Sequence, residues 1–203
     1  MTEPILARAF YETDAVTLAS SLLGKRLWAE TPAGTLAGII TETEAYCGVT
    51  DRASHAYGGR RTARTETMYL PGGYAYVYLI YGLYACLNVT AAMREDPQAV
   101  LIRAILPSDN LPLFHANWRA NTRAKKPTPP PVEKLANGPG RLCSVMGITR
   151  AWNGIPLTEP TAPNRLWITD TGAVPDYTTS TRVGIDYAGE DRDRPWRFIL
   201  QIG

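Results

Sequence analysis

The segment TETEAYCGVTDRASH, residues 41–55, gathers Glu42, Glu44, Tyr46, Asp51 and His55, and His55 is one of only two histidines in the chain. Three kinds of chemistry fit such a set. On a strand, Glu42 and Glu44 share a face with Ile40 and Tyr46, about 7 Å apart at a rise of about 3.3 Å per residue. That separation suits the acid and base of an inverting sugar hydrolase. Glu42, Glu44, Asp51 and His55 also offer an oxygen-rich metal site of the magnesium or manganese kind, although no HExxH or DxDxD spacing is present. Third, one carboxylate can serve as general base beside an aromatic wall that binds a planar ring. The plain alternatives are a solvated strand face for the glutamates and a hydrogen-bonded packing residue for a lone histidine. His115, in LFHAN, takes the plain reading.

Aromatic residues supply the second chemical signal. Tyr74, Tyr76 and Tyr78 alternate with Ala75, Val77 and Leu79, which is the period of a strand with tyrosines on one face. Aromatic strand positions are usually core. Five tyrosines between 74 and 84 exceed what a small core needs, and such faces also stack nucleobases. Tyr81-Gly82 interrupts the pattern and predicts a hairpin with Tyr81 at or beside its tip, where an aromatic can wedge into a base stack. Two basic groups lie nearby in sequence: Arg52, Arg60, Arg61 and Arg64, then Arg119, Arg123, Lys125, Lys126, Lys134 and Arg141. Basic runs are ordinarily solvated surface, but two of them beside an aromatic hairpin favour a phosphate-backbone partner. No P-loop, GxGxxG, GxSxG or Cys–His pairing is present.

The elements that must position these groups follow from periodicity and turn residues. TDAVTLASSLL, residues 13–23, predicts a helix capped by Thr13 or Asp14 and stopped by Gly24. KRLWAE and GTLAGIITETEAY read as strands joined by the turn TPAG. Residues 47–73 lack a period and read as a long loop with helical turns, a length usually tied to function. AVLIRAILP reads as a strand, RANTRAKKPTPPP as a mobile basic loop, and a short helix is possible after NGPG. RLWITD, STRVGIDYAGE and RPWRFILQIG read as strands with a loop. Hairpins outnumber βαβ units, so the expected class is α+β with an antiparallel sheet.

Composition sets the outer bounds. The 203 residues suit one domain over 1–203, and 17 glycines with 16 prolines predict many turns and few long helices. A formal net charge of +2 says little about partners. Cys47, Cys86 and Cys143 are sparse and form no CxxC, which points to a reducing compartment rather than a disulfide or zinc framework. MTEPILARAFYETDAV has early acids and no long apolar run, so no secretory signal is expected, and no segment approaches about 20 apolar residues. An intracellular protein, cytoplasmic or nucleoid-associated, is expected.

ETEAY, then ASH and GGR, followed by YVYLIYGLYACLNV, AVLIRAILP, NGPGRL and RVGIDYAGE, resemble in order the mammalian-type alkyladenine (3-methyladenine) DNA glycosylases over about residues 8–199. The resemblance implies a single mixed α/β domain with a curved antiparallel sheet and a protruding hairpin, using no metal or cofactor. It implies an enzyme that flips an alkylated or deaminated purine from duplex DNA and hydrolyses its N-glycosidic bond. Carried over, Glu44 is the general base, and Arg103 holds the water and contacts the target phosphate. Tyr46, His55 and Tyr78 wall the base pocket, with Ala53 and Leu101 supplying backbone and packing. Asn88 excludes guanine by crowding its amino group, and Tyr81 is the wedge. No lysine or N-terminal amine is placed as nucleophile, so no lyase step is expected. A monomer that binds double-stranded DNA and no membrane is expected. MREDPQ, residues 93–98, looks longer than the family turn, and no partner-binding tail is expected. The rivals are a metal-dependent hydrolase and a non-catalytic module that binds damaged DNA.

Overall fold

A thirteen-residue strand, Gly34–Tyr46, runs through the middle of the sheet and carries both glutamates. The computed structural model describes residues 3–122, 128–159 and 165–201. Ahead of that strand lie α1 (Arg8–Tyr11), α2 (Ala15–Ser21) and β1 (Arg26–Thr31), so Gly34–Tyr46 is β2. Asp14 caps α2, its side chain accepting from the N–H groups of Val16 and Thr17 at 3.0 and 2.9 Å, and Gly24 leaves the helix at φ +76°. β1 and β2 pair from Arg26↔Ile39 to Thr31↔Gly34 around a tight turn.

The predicted hairpin is β3 (Ala75–Ile80) and β4 (Tyr84–Ala91). At its tip Leu83 N–H donates to Ile80 O at 3.1 Å, and Tyr81 and Gly82 both take positive φ, +53° and +68°. Two left-handed central residues give the turn whose twist matches a two-stranded ribbon. β5 (Gln98–Asp109) then pairs with both β4 and β2. Strands β6 (Arg165–Thr169), β7 (Tyr177–Ser180) and β8 (Arg197–Leu200) complete an eight-stranded antiparallel sheet. Its order is β3-β4-β5-β2-β1-β6, with β8 pairing β2 and β7, and it curls into a half-barrel. The α+β expectation holds.

One side of the sheet is covered by α2, α3 (Leu111–Asn121) and α5 (Pro139–Met146), with the short α4 (Val132–Leu135) beside them. Leu18, Leu22, Phe114, Leu142 and Met146 pack there on Leu36, Ile40, Val100, Ile102 and Ile168. Burial of such side chains contributes about 1.5–3 kcal/mol each. No helix among the described residues is long and apolar enough to cross a membrane.

Three expectations change. Strict alternation from Ile40 to Tyr46 fails, because Thr41 on β2 and Arg103 on β5 are extra residues in the ladder between Ile40↔Ile105 and Thr43↔Ile102. The paired bulges flip the phase, so Ile40 joins Ala45 in the apolar core instead of sharing a face with Glu44. STRVGIDYAGE is not a strand: Ser180 ends β7, and Asp186–Asp193 forms 3-10 turns broken at Gly189. Helix α3 occupies 111–121, ahead of and into the stretch read as a basic loop, while Arg123, Lys125 and Lys126 lie outside the described residues.

Candidate active site

Strand register builds the floor of the site. Tyr76 pairs with Asn88, Asn88 with Leu101, Leu101 with Glu44 and Glu44 with Arg197. Residues directly opposite in antiparallel strands project to the same face, so five strands present one continuous row. Its members Tyr76, Asn88 and Leu101 line a cleft of about 330 Å³, together with Tyr46, Ala53, His55, Tyr78, Tyr81 and Arg103, and Glu44 lies next in the row, paired with Leu101. The size is at the small end of ligand clefts, which run about 300–1,000 Å³. All nine residues singled out by the resemblance therefore border one cavity or, for Glu44, its floor.

Glu44 is fully buried, yet both its oxygens are occupied. Oε1 accepts from Val183 N–H at 2.8 Å and lies 3.3 Å from Arg103 Nη1, and Oε2 accepts from the Tyr46 hydroxyl at 2.8 Å. Burial raises the Glu44 carboxyl above the ordinary carboxylate range, against the opposing pull of Arg103, the Val183 N–H and the Tyr46 hydroxyl. Burial, and then the Glu44 charge, hold the Tyr46 hydroxyl well above its usual range, so it remains a donor. The Arg103 bulge aims its guanidinium at both glutamates, with Nε on Glu42 at 2.8 Å. Arg197 Nε reaches the same Glu42 oxygen at 2.6 Å. The two glutamates thus share an arginine rather than flank an open gap.

The aromatic wall is built by contact. His55 and Tyr78 meet edge to face with ring centres 4.6 Å apart, and Tyr76 and Tyr78 lie 5.4 Å apart. His55 Nδ1 is 2.9 Å from the Tyr76 hydroxyl, and Nε2 is 3.2 Å from Arg64 Nη2. Arginine offers only donors, so Nε2 accepts and the ring proton sits on Nδ1, facing the Tyr76 oxygen. Burial, with Arg64 and Arg60 nearby, drives the imidazole down to about 4, so His55 is neutral near pH 7. The Arg64 guanidinium also lies 5.0 Å from the Tyr78 ring centre. Asn88 is buried and donates to Tyr76 O at 3.1 Å. Ala53 is buried, with its N–H on Asp51 at 2.9 Å and its carbonyl 3.4 Å from the Tyr187 hydroxyl. Tyr81 borders the cleft from the hairpin tip and is 88% exposed.

The four candidate metal ligands do not gather. Asp51 faces Arg182 in a pair with no exposed side-chain surface, Glu42 is held by two arginines, and His55 turns to Tyr76 and Arg64. Among the described residues no group of three or more His, Cys, Asp or Glu is placed to hold a metal ion. The arginines near the cleft also divide: Arg61 is taken by Glu66 and Glu95 on the surface, whereas Arg64 reaches the pocket. The 93–98 turn stands three ladder pairs from Asn88 and packs its Pro97 carbonyl near Gly48.

Several participants were not assigned from sequence. Tyr76 was visible in the tyrosine row but not as the partner of His55. Val183 acts through a backbone N–H, which leaves no residue-type signal. Arg182 lies in RVGIDYAGE, and only its distant partner Asp51 reveals why it is buried.

The model of methylpurine-DNA glycosylase (MPG) matches residues 9–202. A Clostridium novyi protein named "Putative 3-methyladenine DNA glycosylase" is 41% identical over 196 residues, covering 97% of this chain and 94% of its own length. Proteins of the same name from Clostridium botulinum and Methanocella arvoryzae are 46% and 44% identical, covering 97% and 96% of this chain and 96% and 92% of their own lengths. With nearly the full length matched on both sides, the chain belongs to the methylpurine-DNA glycosylase family.

Proposed function

We propose that this chain is a monomeric, monofunctional DNA glycosylase that extrudes alkylated purines from duplex DNA and hydrolyses their N-glycosidic bond, acting beside the chromosome. The observation that carries the reading is a buried carboxylate, Glu44, held by two hydrogen-bond donors and an ion pair with Arg103 beside an aromatic cleft beneath an exposed hairpin tip. The family and the names of its relatives support the activity on alkylated bases.

Glu44 takes a proton from water as the water oxygen bonds to C1′ and the C1′–N bond breaks. The base leaves with the bonding electron pair. An alkylated purine is cationic and leaves neutral, so no general acid is needed. The Glu44 charge also stabilises the sugar cation as it develops. Arg103 holds the water against Glu44 and meets the target phosphate. Tyr46 on one side and His55 with Tyr78 on the other stack the extruded ring, favourably for a cation over tyrosine faces. Ala53 and Leu101 close the pocket. Neutral His55 hydrogen-bonds the base through its ring or backbone once Arg64 yields its place. Asn88 crowds the exocyclic amino group of guanine, and Tyr81 fills the vacated place in the stack. Among the described residues no lysine lines the cleft, which supports a reaction that ends at the abasic site without strand cleavage.

The deciding measurement is release of free base from a duplex carrying one alkylated purine, with wild type and Glu44→Gln, in the presence of chelator. Wild type is expected to release base without cutting the strand, and Glu44→Gln to bind the duplex without releasing it. Equal release by the two proteins removes Glu44 as base. Binding without release by wild type favours the non-catalytic module, and loss of release on chelation favours a metal-dependent hydrolase.

A further inference from the structure

Arg182 is buried, and its two terminal nitrogens make four hydrogen bonds, while no part has yet been given to it. Its Nη1 lies 2.5 Å from Asp51 Oδ2 and 2.9 Å from Ala45 O, and its Nη2 lies 2.9 Å from Asp51 Oδ1 and 3.1 Å from Asp191 O. Its guanidinium carbon is 4.9 Å from the ring centres of both Tyr46 and Trp196. Asp51 passes the connection on, accepting from Cys47 N–H at 3.0 Å and Ala53 N–H at 2.9 Å. One arginine therefore ties together the end of β2, the 47–53 loop and the 186–193 turns.

Glu44 is bracketed by that construction. Ala45, whose carbonyl Arg182 holds, separates Glu44 from Tyr46. Val183, the next residue after Arg182, donates its N–H to Oε1, and Tyr46, whose ring Arg182 covers, donates its hydroxyl to Oε2. Both hydrogen-bond donors on the carboxylate thus adjoin Arg182, which itself has no contact with Glu44 among the hydrogen bonds and ion pairs of the described residues.

We infer that Arg182 is a positioning residue for hydrolysis: with Asp51 it clamps the Val183 N–H and the Tyr46 hydroxyl onto Glu44, fixing the direction in which the carboxylate receives the water proton. This rests on Glu44 being the general base. A lysine cannot reproduce the fork, because one ammonium cannot serve both Asp51 oxygens, Ala45 O and Asp191 O in a single plane. The charged and titratable groups that meet Glu44 are Arg103 from β5, Tyr46 from its own strand, Tyr78 from β3 and Arg197 from β8, with Glu42 behind the arginines. All of these remain in an Arg182→Lys protein.

The test is single-turnover base release by Arg182→Lys as a function of pH, alongside its affinity for a lesion duplex and its melting temperature. Slackened donors are expected to slow release about tenfold to a hundredfold, the usual penalty for misplacing a reacting group. Affinity for the duplex is expected to change less than about twofold. The acid limb is expected to move to higher pH by about one unit, the weight of one hydrogen bond to a charged group. If Arg182→Lys does not fold, Asp51→Asn combined with Arg182→Gln removes both charges together, avoids an unpaired buried ion, and is expected to give the same shift. A slower rate with the acid limb in its wild-type place, in whichever of these proteins folds, reduces Arg182 to scaffolding and overturns the inference. Glu44→Gln separates the two levels: if it keeps releasing base, the general-base reading has failed, whereas an inactive Glu44→Gln beside an unmoved acid limb in Arg182→Lys removes only the clamp.

Discussion

The floor of the cleft and the tip of the hairpin are built on opposite physical terms. At the floor Glu44 has no exposed surface and every oxygen is engaged. At the tip Tyr81, Leu83 and Tyr84 are 88%, 72% and 58% exposed, and Tyr81 takes a left-handed backbone that non-glycine residues rarely adopt. A proton-transfer group gains from being over-determined, because each fixed donor is already in place when charge develops. A ring in the wedge role proposed for Tyr81 would gain from having nothing to give up, because it would exchange water for a base stack. The two regions belong to one sheet, with β5 between the β3–β4 hairpin and β2, and the β3–β4 ladder that places Tyr76 in the cleft also carries Tyr81 to the surface.

If the floor is the reacting region, the largest effect belongs there. Glu44→Gln is expected to slow base release by about 10²–10⁴-fold, the range for a lost general base, measured by single-turnover release of free base. Its stability should move the other way. Burial raises the folded-state pKa of Glu44 above that of the unfolded chain. The group therefore supports folding below its unfolded pKa and ceases to as pH rises through its folded pKa, so at neutral pH the charged form is a burden. Glu44→Gln is expected to melt at or above the wild-type temperature at pH 7, and a clearly lower melting temperature would deny that burden. Wild-type activity should fall on the acid side through a single limb above the ordinary carboxylate range. His55, already neutral above about 4, adds no second limb near pH 6–7.

The Asp51–Arg182 pair tests the floor by stability instead of rate. Asp51→Ala leaves the Arg182 charge buried without its partner. The expected loss is about 3–5 kcal/mol, read by denaturant unfolding. A loss below about 1 kcal/mol would mean that the pair is solvated, as surface ion pairs are.

What the sequence made legible follows the same division. Alternation revealed β3 and its tyrosines, and Tyr81-Gly82 marked the tip, because hairpins are written locally. The row Tyr76–Asn88–Leu101–Glu44 depends on register among four strands, which no single segment contains. The bulges at Thr41 and Arg103 offset each other, so they leave each apolar pattern nearly intact while turning Ile40 into the core. Helix α3 carries a short stripe, Leu111, Phe114 and Trp118 at i, i+3 and i+7, of which only Phe114 is fully buried, so its apolar period is faint beside those of the strands. Val183, Ile185 and Tyr187 alternate as a strand would, yet Arg182 bonds across 131 residues to Asp51 and holds the segment as a turn. The glutamates were visible as a pair, but which one is buried without solvent was decided by Arg103 and Arg197, which both face Glu42.

At the tip the effects should be smaller and confined to duplex DNA. Tyr81→Ala removes an exposed ring, so the fold should be unaffected, while stacking worth about 1–3 kcal/mol per base is lost on lesion binding. That range corresponds to about 5- to 150-fold in affinity for a lesion duplex, whereas a single-stranded oligonucleotide with the same lesion, having no stack to refill, should bind nearly as before. Equal weakening on both substrates would make Tyr81 part of the pocket and erase the contrast between the two regions. The smallest effect concerns the backbone alone. Tyr81→Gly relieves a left-handed φ of +53° but loosens the unfolded chain, and the two act in opposite directions. A change within about 1 kcal/mol is expected by thermal unfolding, together with the same loss of duplex affinity as Tyr81→Ala. Equal affinity losses in the two variants, despite their different backbones, would assign the tip's contribution to the tyrosine ring and leave the turn as its carrier.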